Sequence, residues 1–394
     1  MHLDCLGVDC MLRPRKKHLI RELWRESANS HEGTERSSTI GSVEALDIKM
    51  KSTLNSILKL LDIDELELLL EAIKSKGRSR SECIHLRHSP TSGSLEDISK
   101  QPIAYGRHSS ETLISKKSHT DFSYTVCKVW RWKDLASGEL LIPLPCCQVP
   151  ESSSGIDEQV SRSCINPYHW CKVIDVISGL RLSKHQVGLE EDLLPCKVDL
   201  DNNTDFTYND SSNVEWKQDN WCQIAYWELS NRIGQLFPVT PSSIDIFQDI
   251  AQGCGVSLAA LHKIHAAKSP SIASLRSKIG AGITLSNEGN IVRLYNRSQR
   301  DVFVTSYCLN MDKRPGETWR VCKVTSGHAL VIYDYTVTRS CHDLSYLLSD
   351  GPTDPHSIHL SFMKGWSGSY SRQSILSCEC WLEILINKHW FENS

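Results

Sequence analysis

The first clear pattern in the chain is a run of apolar residues at helical spacing between positions 45 and 61. Five of them recur three or four residues apart, which places them on one face of an amphipathic helix: Met50, Leu54, Ile57, Leu58 and Leu61. A second helix is predicted over 64–77, where Asp64 and Glu67 have the spacing of a capping box and Gly77 is placed to end the helix. Two amphipathic helices joined by a few residues predict a helical hairpin that begins a domain.

The chain on either side of this hairpin is poor in apolar periodicity. Residues 19–42 are rich in Ser, Glu and Gly, which predicts a loose segment. Most of the stretch between 83 and 127 is polar and irregular, as an insertion or a long loop would be. The aromatic stretch YTVCKVWRWKDL, residues 124–135, has a strand-like composition. The acidic, Asn-rich residues 174–214 predict a linker.

From residue 215 onward the pattern changes to short β-branched and aromatic runs, which predict strands. They include WCQIAYWEL, NIVRLYNRS, DVFVTSY and CWLEILIN. The residues NEGN at 287–290 have the composition of a hairpin turn between two of these runs. One helical segment, 257–280, interrupts the series. Regularly spaced strands with a single helical interruption predict a β-sandwich that carries a helix. The whole pattern therefore predicts two domains joined by a linker.

Composition narrows the class of protein. The chain has 394 residues, of which 40% are hydrophobic and 23% charged, an ordinary soluble composition. A formal net charge of −3 argues against a protein coated in positive charge for nucleic acid. No apolar run approaches 18 residues, so no membrane span is expected. Sixteen cysteines are scattered over the chain instead of framing a short secreted scaffold, which indicates a reducing compartment.

The segment CINPYH, residues 164–169, places a cysteine and a histidine on either side of an Asn-Pro turn. Structural zinc takes four nitrogen or sulfur ligands from separate segments, so Cys164 and His169 can supply half of a site. In an alternative interpretation these cysteines are buried apolar groups and the histidine bonds to a backbone carbonyl. No Cys-x-x-Cys pair selects the other ligands, and the candidates are Cys83, Cys127, Cys146 and Cys147.

Several rare aromatic blocks resemble the two Mad-homology domains of the Smad family. CKVWRWKDL and CINPYH resemble the N-terminal domain; WCQIAYWELSNRIGQLFPV, IDIFQD, RSKIGAGITL, VRLYNRS and CWLEILIN resemble the C-terminal one. The resemblance implies a flexible segment over 1–44 and an α+β, zinc-containing N-terminal Mad-homology domain over 45–173. A linker over 174–214 and a C-terminal Mad-homology domain over 215–394 follow. The last of these is expected to be an FHA-like β-sandwich with flanking helices.

The resemblance also implies one structural zinc ion in the N-terminal domain, held by three cysteines and one histidine. Matched onto this sequence, the ligands are Cys83, Cys147, Cys164 and His169, with Cys146 as the alternative to Cys147. Four protein ligands leave no open position for catalysis, so the chain is not expected to be an enzyme. The alternative from another class is an enzyme with Cys164 as nucleophile, but no base-orienting carboxylate pattern accompanies that cysteine.

Two features distinguish the kinds of Smad. First, the DNA-contacting hairpin of the transmitting Smads has no match in residues 91–120, where Arg107, Lys116 and Lys117 do not align with it. Second, no Ser-x-Ser phosphorylation tail follows CWLEILIN. Both features resemble the inhibitory class, a negative regulator of TGF-beta/BMP-type signalling that occupies activated type I receptors and blocks receptor-activated Smads. The Pro-Pro-x-Tyr linker motif usual in that class is absent. The alternative is a divergent DNA-binding, signal-transmitting or common-mediator Smad that acts as a transcription factor.

A receptor-binding surface and a set of partners follow from the same resemblance. The receptor-binding residues are expected to be Lys364, Trp366 and Arg372, on the loop that begins at KGW, and Lys278 in RSKIG. The expected partners are activated type I receptor serine/threonine kinases and other Smads, with transcription corepressors or ubiquitin ligases as further candidates. DNA binding is expected to be weak or absent, without membrane insertion, and the expected location is the cytoplasm and nucleus.

Overall fold

The part of the chain that the computed structural model describes begins in a helical region and ends in two stacked sheets. It comprises residues 6–29, 42–79, 81–85, 120–136, 140–147, 164–174, 220–248, 255–311, 319–339 and 354–393. The predicted linker, apart from residue 174, and most of the polar stretch after Cys83 lie outside these residues. None of the described helices is both long and apolar enough to cross a bilayer.

Four helices of the N-terminal region enclose one apolar core. They are α1 (Leu6–Asn29), α2 (Ser42–Leu60), α3 (Ile63–Ser75) and α4 (Thr120–Trp130). Leu23 of α1, Leu58 of α2 and Leu66 of α3 are fully buried in this core. The prediction of a flexible segment over 1–44 is therefore wrong for α1. Leu19 and Leu23, one helical turn apart, form a narrow apolar stripe that the polar average composition of the segment conceals.

The predicted helical hairpin is present as α2 and α3, but the N-cap of α3 differs. The side chain of Asp62 accepts a hydrogen bond from the backbone N–H of Glu65, whose carboxylate accepts one from the backbone N–H of Asp62. Asp62 rather than Asp64 is the cap because Asp62 has extended backbone angles, whereas Asp64 already lies in the first helical turn. Gly77 follows the helix as predicted, with φ +71° and the ring of Tyr168 where a Cβ would lie.

The first part of the aromatic stretch with strand-like composition, residues 124–130, belongs to helix α4, and residues 131–135 follow the helix as turns. Val126, Cys127 and Trp130 recur at helical spacing, and all three are buried in the N-terminal core. The indole N–H of Trp130 donates a hydrogen bond of 3.2 Å to the backbone carbonyl of Leu23 in α1. Aromatic and β-branched residues favour strands only weakly, so the burial of one helical face outweighs their intrinsic preference.

The β-structure lies mainly in the C-terminal region. The strands are β1 (Leu141–Pro143), β2 (Trp170–Val173), β3 (Cys222–Glu228), β4 (Asn231–Val239), β5 (Ser243–Phe247), β6 (Gly255–Ser257), β7 (Ile283–Glu288), β8 (Ile291–Asn296), β9 (Val302–Ser306), β10 (Cys322–Val324), β11 (His328–Asp334), β12 (Ser357–Phe362) and β13 (Trp381–Ile386). Helices of the same region are α5 (Leu258–Ile264), α6 (Pro270–Ile279), α7 (Tyr335–Arg339) and α8 (Lys388–Asn393). One sheet has the order β1-β2-β11-β8-β7-β5-β6 and the other β10-β9-β12-β13-β3-β4.

These two sheets face each other across the core of the C-terminal region. Leu294 of the first sheet and Leu382 of the second belong to one buried cluster, which Ile272 of α6 joins from the side. This arrangement is the predicted β-sandwich with flanking helices. The predicted NEGN turn is also present, because β7 and β8 pair on either side of it and Gly289 adopts a left-handed φ of +72°.

The N-terminal region is joined to the sandwich through a shared sheet. Strand β2 pairs antiparallel with β1 and parallel with β11. The backbone N–H of Lys172 donates a hydrogen bond of 3.0 Å to the carbonyl of Gly327, and that of Ile174 donates one of 2.8 Å to Ala329. The sequence predicted two domains but not this pairing, which extends the first sheet of the sandwich by two strands.

A buried ion pair holds α6 on the sandwich. Arg276 of α6 donates hydrogen bonds of 2.5 and 2.8 Å to the two carboxylate oxygens of Glu228 at the end of β3. The hydroxyl of Tyr226 donates a further one of 2.9 Å to Glu228, and the ring of His262 on α5 lies 3.1 Å from that hydroxyl. Burial lowers the pKa of His262 to about 4, and the charge of Arg276 acts in the same direction.

Candidate metal centre and cationic loop

Four side chains of the N-terminal region converge on one point. The sulfurs of Cys83, Cys147 and Cys164 and a ring nitrogen of His169 all lie within 4.8 Å of one another. The Cys83 sulfur is 3.7 Å from the Cys147 sulfur and 3.4 Å from Nδ1 of His169. The Cys164 sulfur is 3.6 Å from the same nitrogen. The structure thus brings together the four residues that were predicted as metal ligands.

The separations in this cluster fit a zinc tetrahedron. With Zn–S distances of about 2.3 Å and a Zn–N distance of about 2.05 Å, tetrahedral angles place two sulfurs ~3.8 Å apart and a sulfur and a nitrogen ~3.6 Å apart. The sulfurs of Cys83 and Cys147 are 3.7 Å apart, and Nδ1 of His169 lies 3.4 Å from the Cys83 sulfur and 3.6 Å from the Cys164 sulfur, with all four ligand atoms within 4.8 Å of one another. Three thiols and one imidazole are also a usual donor set for structural zinc. The residues present therefore fit a zinc ion with every coordination position filled by protein.

The Asn-Pro turn brings the ligands together. The side-chain oxygen of Asn166 accepts a hydrogen bond of 3.0 Å from the backbone N–H of Tyr168 and so caps the 3₁₀ turn that contains His169. The amide nitrogen of the same Asn166 donates a hydrogen bond of 3.1 Å to the backbone carbonyl of Glu82, next to Cys83. One buried asparagine therefore links the segment of the first ligand to the turn of the last two.

Hydrogen bonds within the cluster shift the pKa values of its members in opposite directions. Those with Cys147 and Cys164 lower the pKa of the Cys83 thiol, whereas those with Cys164 and Cys83 raise the pKa of the Cys147 thiol. Burial lowers the pKa of His169, but hydrogen bonds with the sulfurs of Cys164 and Cys83 outweigh burial and raise it to about 10. The other ring nitrogen of His169, Nε2, lies 3.1 Å from the carbonyl of Ser81, which keeps Nδ1 turned toward the sulfurs. The three sulfurs and Nδ1 thus interact directly with one another.

The choice between adjacent cysteines is made by a turn. The backbone N–H of Cys147 donates a hydrogen bond of 2.8 Å to the carbonyl of Leu144, which directs Cys147 into the cluster and leaves Cys146 exposed outside it. Cys127 is fully buried in α4, where its sulfur lies 3.7 Å from the carbonyl of Pro167 and burial raises the pKa of its thiol. Cys146 and Cys127 therefore lie outside the candidate metal centre.

A second candidate site is the cationic loop, defined here as residues 363–378, which connects β12 to β13. Lys364 is half-buried, and no acidic side chain in the described residues lies within ion-pair distance of its ammonium. Arg372 differs, since its Nη2 lies 3.7 Å from Oε1 of Glu379. Lys278 is exposed in the last turn of α6. The contact between this helix and Glu379 is made at the other end of the helix, by Ser271 in the first turn. The loop thus holds two of the three predicted cations.

The cationic loop is held in a defined conformation. Trp366 is only 7% exposed and packs in a hydrophobic cluster with Phe303, Trp381 and Cys378, so it anchors the loop and offers little surface to a partner. Gly365 is needed for close packing, because a Cβ there would lie 2.5 Å from the ring of Tyr370. Two residues that are not glycine adopt positive φ in this loop, Met363 at 64° and Ser367 at 102°. Such backbone strain is typical of binding loops whose shape is imposed by their surroundings.

The sequence prediction missed Glu379, the acidic neighbour of Arg372. Its position two residues before Trp381 was visible, but nothing in the local pattern indicated which side chain it would face. The described residues do not include residues 91–119 of the stretch that was compared with the DNA-contacting hairpin. Three basic residues of that stretch are therefore not described: Arg107, Lys116 and Lys117.

A Cys₃His cluster in a helical domain, followed by a β-sandwich that carries a cationic loop, defines a two-domain α+β protein. Residues 50–174 match the MH1 domain family and residues 219–387 match the MH2 domain family. The chain belongs to the Smad family, whose members are regulators of signalling and transcription.

Relatives of known name agree with this assignment. "Mothers against decapentaplegic homolog 7" of Rattus norvegicus is 32% identical over 378 residues, which are 92% of this chain and 84% of the relative. "Mothers against decapentaplegic homolog 6" of Gallus gallus is 32% identical over 361 residues, covering 87% and 76%. Both relatives are inhibitory Smads, and this chain is most like that class. Among solved structures, STAT2 in complex with IRF9 matches 45% of this chain and 98% of that one at 12% identity, with a TM-score of 0.31, too low to bear on the fold.

Proposed function

We propose that this chain is an inhibitory Smad that occupies activated type I receptors and thereby blocks receptor-activated Smads. The observation that carries the proposal is the cationic loop, which presents Lys364 and Arg372 from a conformation held by the buried Trp366. The similarity to Mothers against decapentaplegic homologs 7 and 6 supports the same proposal. Such a role requires the chain to reach the cytoplasmic side of the receptor.

The chemistry of an activated receptor suits such a loop. Phosphorylation adds about −1.5 to −2 charges and three strong acceptor oxygens at each modified residue. Arg372 can bind a phosphate through two parallel hydrogen bonds, and Lys364 can add a point charge. An isolated surface cation contributes little to binding, so the proposal depends on both residues acting from one ordered loop. Lys278 would extend the same surface along α6.

The test is a charge reversal on the loop with a matched reversal elsewhere. Lys364→Glu and Arg372→Glu are combined in the full chain, and the control combines Arg339→Glu with Lys388→Glu. Both control residues are exposed and lie where Tyr335 stacks on Phe391, at the other end of β13 from the loop.

Capture by the phosphorylated receptor and repression of a TGF-beta/BMP-type reporter are measured after circular dichroism has verified folding. We expect the loop variant to lose both activities and the control to keep them. A folded loop variant that binds and represses like the parent would refute the proposal.

We propose in addition that one structural zinc ion binds at Cys83, Cys147, Cys164 and His169. The proposal is supported by the tetrahedral separations described above. Zinc binding in small domains contributes apparent free energies of roughly 10–16 kcal/mol, so the N-terminal core is expected to depend on the ion.

The zinc content of the full chain is measured after dialysis, with Cys164→Ser as the ligand variant and Cys146→Ser as the control. We expect about one zinc per chain in the parent and in Cys146→Ser, and very little in Cys164→Ser. Full retention in Cys164→Ser would exclude this ligand set.

A further inference from the structure

Glu379 connects the cationic loop to helix α6. Its Oε1 lies 3.7 Å from Nη2 of Arg372 and accepts a hydrogen bond of 3.2 Å from the hydroxyl of Ser271. The side chains of Arg372 and Glu379 are 22% and 15% exposed, so the pair is largely withdrawn from water. A carboxylate thus stands beside one of the two cations that the proposed function assigns to phosphate.

The other oxygen of this carboxylate is poorly satisfied. Oε2 of Glu379 is buried and has no hydrogen-bond partner among the described residues. Leaving a buried acceptor unpaired costs stability, so this oxygen does not help to hold the fold together. The hydrogen bond with Ser271 accounts for one oxygen only. What remains for the charge of Glu379 to act on is Arg372.

Arg372 lies near Glu379, but the carboxylate does not occupy the hydrogen-bond donors of its guanidinium. A separation of 3.7 Å is longer than the roughly 2.7–3.2 Å of a nitrogen–oxygen hydrogen bond, so the two groups attract each other while the N–H groups of the guanidinium stay available. Within the described residues the guanidinium makes no hydrogen bond. Lys364, in contrast, faces no acidic side chain there. The two loop cations therefore differ in how strongly the protein itself competes for them.

We propose that Glu379 sets an affinity threshold at the receptor surface by competing with receptor phosphate for Arg372. This inference rests on the proposed function. A phosphate offers Arg372 a bidentate partner, but every partner of Arg372 must first displace the carboxylate at the same cost. A receptor segment with further phosphates can offset that cost through contacts with the other cations of the surface, whereas an unphosphorylated acidic segment cannot.

The experiment compares substitutions in the full, zinc-loaded chain. Glu379→Gln removes the charge, keeps the shape and retains a group that can bond to Ser271. Ser271→Ala removes only the link to α6. Glu383→Gln is the matched control, because Glu383 is a partly exposed acid on neighbouring strand β13 whose carboxylate contacts Trp227 instead of a loop cation. Affinity is measured by anisotropy for a receptor juxtamembrane peptide in unphosphorylated, singly and multiply phosphorylated forms.

We expect Glu379→Gln to bind both phosphorylated peptides up to about fivefold more tightly, the upper end of the range for a single ion pair near water. Ser271→Ala and Glu383→Gln should stay within twofold of the parent. In the Arg372→Ala background, Glu379→Gln should produce no gain. Equal gains in Glu379→Gln and Glu383→Gln, or no gain at all, would overturn the inference.

The proposed function is tested separately by Lys364→Ala. Weaker binding by Lys364→Ala together with no effect of Glu379→Gln would reject the role of Glu379 and leave receptor binding intact. If Lys364→Ala and Arg372→Ala both bind the multiply phosphorylated peptide like the parent, the loop is not the receptor surface, and the proposed function and this inference fail together.

Discussion

The buried ion pair between Arg276 and Glu228 yields the sharpest prediction about stability. Replacing Arg276 with Met removes two hydrogen bonds to the Glu228 carboxylate and one to the backbone carbonyl of His265. Among the described residues the carboxylate, 1% exposed, then keeps the hydroxyl of Tyr226 as its hydrogen-bond donor, with Nε2 of His262 3.7 Å away. Breaking a buried pair in this way costs about 3–5 kcal/mol, because the remaining charge is left without compensation.

The assay is thermal unfolding of the full chain at pH 7. A cost of about 4 kcal/mol corresponds to a fall of roughly 10 °C in the melting temperature of the C-terminal domain, at about 2–4 °C per kcal/mol for a domain of about 150–250 residues. Lys278→Met is the control, since Lys278 is an exposed cation on the same helix. Its substitution is expected to change stability by less than about 0.5 kcal/mol.

A double variant distinguishes the loss of an ion pair from a simple loss of packing. Arg276→Met combined with Glu228→Leu should lose much less stability than the sum of the single variants, because no buried charge is left behind. Additive losses would refute the reasoning.

Three further predictions follow from other parts of the fold. Gly327→Ala should destabilise the chain by about 1–3 kcal/mol more than Gly289→Ala in thermal unfolding. Both glycines have positive φ, but of the two only Gly327 abuts side chains of the N-terminal domain. Equal losses of stability would contradict the packing of the two domains at the shared sheet. The folded-state pKa of His262, about 4, lies below the usual 6.5, so its contribution to stability is present above pH 6.5 and is lost as pH falls toward 4. His262→Phe should make the urea midpoint less dependent on pH over that window, and an unchanged pH dependence would contradict this prediction. Leu23→Ala should cost about 2–5 kcal/mol in urea unfolding and Leu60→Ala, 58% exposed, much less; similar losses would mean that α1 is not packed in the core.

Much of the fold could be predicted because it depends on local pattern. The spacing of apolar residues in α2 and α3 indicates which face each helix buries, and that spacing can be seen directly in the sequence. Strand β13 could be recognised from CWLEILIN, and the turn at Gly289 from NEGN, because β-branched runs and left-handed glycines act within a few residues. Cys164 and His169 could be paired for the same reason, since one Asn-Pro turn separates them.

Features that depend on contacts between distant segments were accessible only from the tertiary structure. Helix α4 has the composition of a strand, and only the burial of Trp130 beneath α1 selects the helix. Adjacent cysteines are equivalent in sequence, and the hydrogen bond of Cys147 to Leu144 decides which one joins the cluster. The pairing of β2 with β11, and the approach of Glu379 to Arg372, were likewise not predicted.

The division has one physical cause. Helical periodicity, capping and turn conformation arise from interactions over a few residues, so the sequence by itself determined the helical hairpin, the strands of the sandwich and the pairing of Cys164 with His169, whereas the other candidate ligands came from the resemblance to the Smad family. Which edge strands pair, and which carboxylate faces which cation, depends on where packing of the whole core brings segments separated by tens to hundreds of residues. Those contacts gain free energy only once the core has formed, and the tertiary structure alone decided them.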